Sequence, residues 1–207
     1  MAADKNRLRI TRISTMLLDM RSLLFIIVLI QLSPAANAAP EQRLNNVYYS
    51  VTGDTAEDLW ADVMTKTPVA HNGNKYVAYT RWQVNWRFWW HDDGSTCEIN
   101  KVKTSLDITY TLPRLEPTST TPDTLAKRWQ GYYAALFEHE QGHKELGLQA
   151  ANEVENGILA MGPRDSCAQL ELDANNIGKK VIDRYGQIEK EYDRSTNHGL
   201  NTGAVFP

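Results

Sequence analysis

The sequence predicts an α+β fold. An antiparallel β-sheet, made of a long hairpin and a short N-terminal strand, is expected to pack against two long helices. Two observations carry this. Between Tyr76 and Leu112 apolar residues recur at every second position, the period of a strand with one buried face. After Pro122 the period changes to steps of three and four, and after a break at Met161 to Asp165 it resumes as far as Tyr192, which is the period of packed helices.

The first 38 residues stand apart from this pattern. Arg7, Arg9, Arg12 and Arg21 lead into the uncharged run Leu23 to Ile30, Ser33-Pro34 breaks it, and Ala36-Asn37-Ala38 has the form of a cleavage site. Residues 1–38 are therefore expected to be a signal peptide cut after Ala38, since the run is short for a permanent bilayer anchor. Met16 and Met20 stand as alternative starts, and no Cys near the cut supports a lipid-modified end. Residues 39–207 then make a single domain.

Within that domain, Val47–Val51 reads as a short strand and Gly53-Asp54 as a turn. Thr55 to Lys66 reads as a helix with Leu59, Trp60 and Val63 on its apolar face, followed by a loop at 71–74. The first hairpin strand, Tyr76 to His91, sets Ala78, Thr80, Trp82, Val84, Trp86, Phe88 and Trp90 against Arg81, Gln83, Asn85 and Arg87 on the other face. Asp92-Asp93-Gly94-Ser95 turns the chain. The second strand puts Val102, Thr104, Leu106, Ile108, Tyr110 and Leu112 on its apolar face, and 113–120 reads as a loop.

Thr121 as N-cap, Pro122 at the first position and Asp123 in the first turn open a long helix expected to reach about Gly157. Its stripe is Leu125, Trp129, Tyr132, Leu136, His139, His143 and Leu146. A second long helix from Ser166 carries Leu170, Ala174, Ile177, Val181, Tyr185, Ile188 and Tyr192. Cys97 and Cys167, the only two Cys, are expected to form one disulfide, and they lack the C-x-x-C spacing of a zinc pair.

The formal charge of −3 and the 42% of hydrophobic residues are ordinary for a globular protein, and no basic excess points to nucleic acid. The chemistry lies in His139-Glu140-Gln141-Gly142-His143. Two His four apart stack one turn above each other on a helix and can share a metal ion. The Glu beside the first His is placed to take a proton from a metal-bound water, as in zinc peptidases. A catalytic zinc needs a third protein ligand and an open position.

The extended motif with a third His six residues on is excluded, because Leu146 and Gln149 stand where its Gly and His would be. Glu153 and Glu155 are two to three turns along the same helix, at least ~15 Å away. Asp193 and His198 follow a helix that can return beside the first. His198 is favoured, as a neutral imidazole, with Asp193 as the alternative. Tyr192 is a candidate hydrogen-bond donor to the oxyanion formed on attack, or simply the end of the apolar stripe. Gly142 and Gly147 cost helix propensity, which close packing over the site would explain.

The chain resembles a bacterial family, the domain of unknown function 922 group, whose members are labelled secreted zinc-dependent proteases. Four segments carry the resemblance. They are Thr80-Arg81-Trp82-Gln83-Val84-Asn85-Trp86, Leu106 to Pro113, the helix through His139 to His143, and Tyr192-Asp193-Arg194-Ser195-Thr196-Asn197-His198-Gly199. The resemblance implies zinc as cofactor and adds weight to His198 as its third ligand.

The expected function is that of an exported, periplasmic or secreted zinc metallopeptidase, zincin-like in architecture, with Glu140 as general base. Its expected partners are peptide or protein substrates, with no nucleic acid, no membrane after leader removal, and a monomeric state. A peptidoglycan amide hydrolase and a non-catalytic zinc-binding domain are the alternatives.

Overall fold

Alternation along the hairpin builds the core. The computed structural model describes residues 39–71 and 73–206, so the expected leader over residues 1–38 lies outside the described residues. In chain order the elements are β1 (Glu41–Val51), α1 (Ala56–Lys66), β2 (Ala70–His71), β3 (Asn74–Lys75), β4 (Tyr79–Asp92), β5 (Cys97–Leu115), α2 (Asp123–Leu159) and α3 (Cys167–Thr196). A 3₁₀ turn follows at Leu200–Thr202. The described residues lie in one compact unit, and no helix among them is long and apolar enough to cross a membrane.

The fold is α+β, and the hairpin pairs as expected: Trp82 lies opposite Ile108, Val84 opposite Leu106 and Phe88 opposite Val102. Leu106, Ile108, Tyr110 and Leu112 are all buried. A register shift between Trp89 and Trp90 marks a bulge near the hairpin end.

The sheet is not wholly antiparallel. β1 runs parallel to β5, from Glu41 opposite Ser105 to Val51 opposite Leu115, giving the order β1-β5-β4. At eleven residues it is also longer than the short strand expected. Its parallel sense follows from the connection, because the chain crosses through α1 and β4 before reaching β5.

β5 likewise continues through Pro113, which reads in sequence as the start of a loop. Pro113 lies opposite Tyr49 on β1, whereas the last pair with β4 is Tyr79 with Thr111. The missing N–H therefore falls where β4 has already ended and no ladder bond is lost.

The helices cover one face of the sheet. Trp82 donates its indole N–H to Glu189 at 2.5 Å and Trp86 to Asn175 at 3.1 Å, which fixes α3 over β4. Both rings press on glycines. A Cβ at Gly147 would stand 2.7 Å from Trp82 Cγ, and one at Gly178 would stand 2.7 Å from Trp86 Cζ2. These glycines let the aromatic strand and the helices approach closely.

Cys97 and Cys167 form the expected disulfide, with Cα atoms 5.2 Å apart. Backbone bonds between Cys97 and Arg164, at 2.8 and 2.9 Å, brace the same corner.

Two local expectations shift. The N-cap of α2 is Pro122 rather than Thr121, whose hydroxyl turns to the Gly53 carbonyl and the neighbouring Thr118. Trp60 is 39% exposed while Leu59 and Val63 are fully buried. Its ring meets Phe206 at 5.0 Å, and Phe206 in turn meets Tyr132 at 5.1 Å, so the polar-looking tail is anchored by its aromatic residue.

Candidate metal centre

The helical repeat of α2 brings His139 and His143 together as the motif requires. Their ring centroids are 4.9 Å apart, and the residues are only 4% and 8% exposed. α3 returns antiparallel and delivers Asp193 between them. Its Oδ1 lies 3.2 Å from His139 Nε2 and 3.0 Å from His143 Nε2. The ligand atoms of these three residues all lie within 4.8 Å of one another.

His198, favoured from sequence as the third member, is not part of this group. Its Nδ1 lies 3.5 Å from Asp193 Oδ1, and its side chain is 53% exposed. The carboxylate therefore occupies the third corner and the imidazole stands outside it.

The remaining ring nitrogens have partners that orient the rings. His143 Nδ1 lies 3.2 Å from Glu189 Oε1, the atom that also accepts from Trp82. His139 Nδ1 lies 3.4 Å from Thr196 Oγ1. With each Nδ1 engaged, both Nε2 atoms turn inward to Asp193, as a metal requires of its ligands.

Tyr192 stacks flat on the His139 ring, with centroids 5.0 Å apart, and donates its hydroxyl to the His139 carbonyl at 3.2 Å. That hydroxyl is committed to the helix, so Tyr192 holds His139 in position. The contact also explains Gly142, where a Cβ would collide with the Tyr192 oxygen. Gly142→Ala is expected to push Tyr192 off His139 and to destabilise the protein by about 1–3 kcal/mol, the usual range for overpacking. Chemical denaturation of the two proteins measures this.

Glu140 is 4% exposed and faces the sheet, where Thr80 on β4 donates to its Oε2 at 2.5 Å. Burial pushes the Glu140 carboxyl up, against the opposing pull of Thr80, His143 and His139. A carboxylate so placed is a stronger base than one in water.

Burial opposes a charge on His143, but its hydrogen bonds to Asp193 and Glu189 prevail and push it up to about 10. Burial likewise works against the Asp193 charge, yet the two His hold its carboxyl well below the usual range. The pocket thus carries a negative field aimed at its centre, and a metal ion bound there would displace the proton of His143. Two imidazole nitrogens and one carboxylate oxygen suit zinc in an open site, so these residues fit that ion.

Sequence reasoning missed Glu189, Thr196 and Thr80. The spacing Glu189-x-x-x-Asp193 was a usable signal, because it repeats on α3 the one-turn step of the two His on α2.

Fold and site together define an α+β domain whose two long helices close a two-His, one-carboxylate cluster over a sheet. The chain belongs to the family of bacterial proteins of unknown function DUF922, whose model matches residues 46–199. That span takes in every residue of the cluster together with His198 and Gly199. No curated protein and no solved structure matches the chain.

Proposed function

We propose that the chain is an exported zinc-dependent metallopeptidase of zincin-like architecture, in which His139, His143 and Asp193 hold the metal. The observation that carries this is the meeting of His139 Nε2, His143 Nε2 and Asp193 Oδ1 in one helix-borne cluster beside the buried Glu140. Zinc in such a site polarises a substrate carbonyl and acidifies water.

Glu140 accepts the proton of the attacking water and returns it to the departing amine. Thr80 holds Oε2, which leaves Oε1 as the atom that carries the proton. Glu189, Thr196 and Tyr192 keep the two imidazoles in register.

The substrate we assign is an extended peptide. Among the described residues β4 pairs with β5 on one side only, and its Thr80 touches Glu140, so a peptide added along that edge would run past the base. The protein acts as a monomer on peptides or proteins outside the cytoplasm, and neither nucleic acid nor membrane takes part.

Purified protein is expected to carry one zinc per chain and to cleave casein, to lose both with a chelator, and to regain both with zinc. Asp193→Ala should weaken zinc binding by more than the ~10–100-fold typical of losing an outer hydrogen-bond partner. Protein that takes up no zinc sinks the reading. Cleavage of purified sacculi with casein left intact would redirect it to the cell wall.

A further inference from the structure

The residue left over from this account is His198. The backbone that carries it is strained: Asn197, His198 and Gly199 follow one another with φ of 49°, 51° and 87°. Asn197 is the left-handed cap of α3, an ordinary use of that conformation. His198 has no such need, and a side chain of its size is disfavoured in that conformation.

Local contacts hold the turn in place. The His198 N–H bonds to the Asp193 carbonyl at 2.8 Å. Gly199 lies so close to the motif helix that a Cβ would stand 3.2 Å from His139 Cβ. The turn folds the chain back over His139 and carries the imidazole to the mouth of the cluster. There Nδ1 reaches to 3.5 Å from Asp193 Oδ1 and the Tyr76 ring lies 5.4 Å away.

We propose that His198 is a catalytic residue that donates a hydrogen bond to the carbonyl oxygen of the substrate as negative charge develops on it, and that it is not a metal ligand. This rests on the peptidase reading. His139 and His143 are enclosed, whereas the His198 side chain is half exposed and stands outside the group of converging ligand atoms. At 3.5 Å from the Asp193 carboxylate Nδ1 makes no hydrogen bond, so the neutral imidazole with its proton on Nε2 can present that N–H to an incoming molecule.

Tyr192, which sequence suggested for this role, has spent its hydroxyl on the His139 carbonyl. A donor aimed at the developing oxyanion acts on the transition state more than on the bound substrate, so its loss falls on kcat.

The test compares wild type, His198→Ala and His198→Asn for zinc content, zinc affinity by chelator competition, melting temperature, and kcat and KM on casein. Asn tolerates the left-handed backbone, so it keeps the test valid if the Ala protein folds poorly. Both variants are expected to keep one zinc per chain at wild-type affinity while kcat falls about 100-fold and KM changes little. Weakened zinc binding in the Asn variant would make His198 a ligand or a support for Asp193, and an unchanged kcat would remove it from catalysis. Either result overturns the proposal. A zinc-loaded wild type that leaves casein intact overturns the peptidase reading instead, and the role falls with it.

Discussion

Glu140→Gln is expected to leave zinc in place and to lower casein hydrolysis by about 10²–10⁴-fold, the range for losing a general base. The exchange keeps shape and volume, and an amide oxygen can still accept from Thr80, which holds Oε2 at 2.5 Å. What disappears is the ability to take a proton from water. Metal analysis beside kcat separates the two effects, and a variant that hydrolyses at the wild-type rate would take Glu140 out of the mechanism.

The zinc-free protein should also respond in stability. Burial raises the folded carboxyl above its unfolded value. Glu140 therefore contributes most below the unfolded pKa and loses that contribution as pH rises through the folded one. The Gln variant lacks this titration, so the melting point of the zinc-free wild type should fall relative to that of the zinc-free variant as pH rises. A group that costs stability and supplies chemistry is the usual trade at a functional site.

Replacing Cys97 and Cys167 together with Ala is expected to cost about 4 kcal/mol by the loop-entropy relation. The bridge closes a loop of 70 residues, the sequence separation of the two Cys. For a domain of this size that corresponds to a melting point lower by roughly 10 °C. The loop contains the second hairpin strand and all of α2, so the bridge restricts the unfolded chain across the segment that carries both His. Thermal melts under non-reducing conditions measure the difference, and a loss under about 1 kcal/mol would mean that the backbone bonds between Cys97 and Arg164 already fix this corner.

What could be read from sequence follows from where periodicity is strong. β4 and β5 alternate because α2 and α3 bury one face, and α2 and α3 repeat at three and four because they pack on that face. β1 was largely invisible. From Glu41 to Tyr48 its residues are exposed on both faces, Leu44 to 59%, so no alternation marks that part and only its ladder with β5 makes it a strand. Its parallel sense depends on a distant pairing that no local pattern encodes.

The two His and Glu140 were legible because one helical turn fixes their relation. The third corner was not. Asp193 and His198 lie five residues apart on opposite sides of a helix end, and the left-handed turn at 197–199 decides which of them enters the cluster. That turn depends on Gly199 fitting against His139, a tertiary contact.

The cluster also has an order in time. Asp193 follows His143 by 50 residues and reaches it only when α3 lies antiparallel on α2. A growing chain presents the paired imidazoles long before their carboxylate exists beside them. Until α3 docks, the pocket is two-thirds built and its base has no complete partner set. Whatever the site does, it can begin only when most of the chain has arrived and folded, a delay that follows from chain order alone.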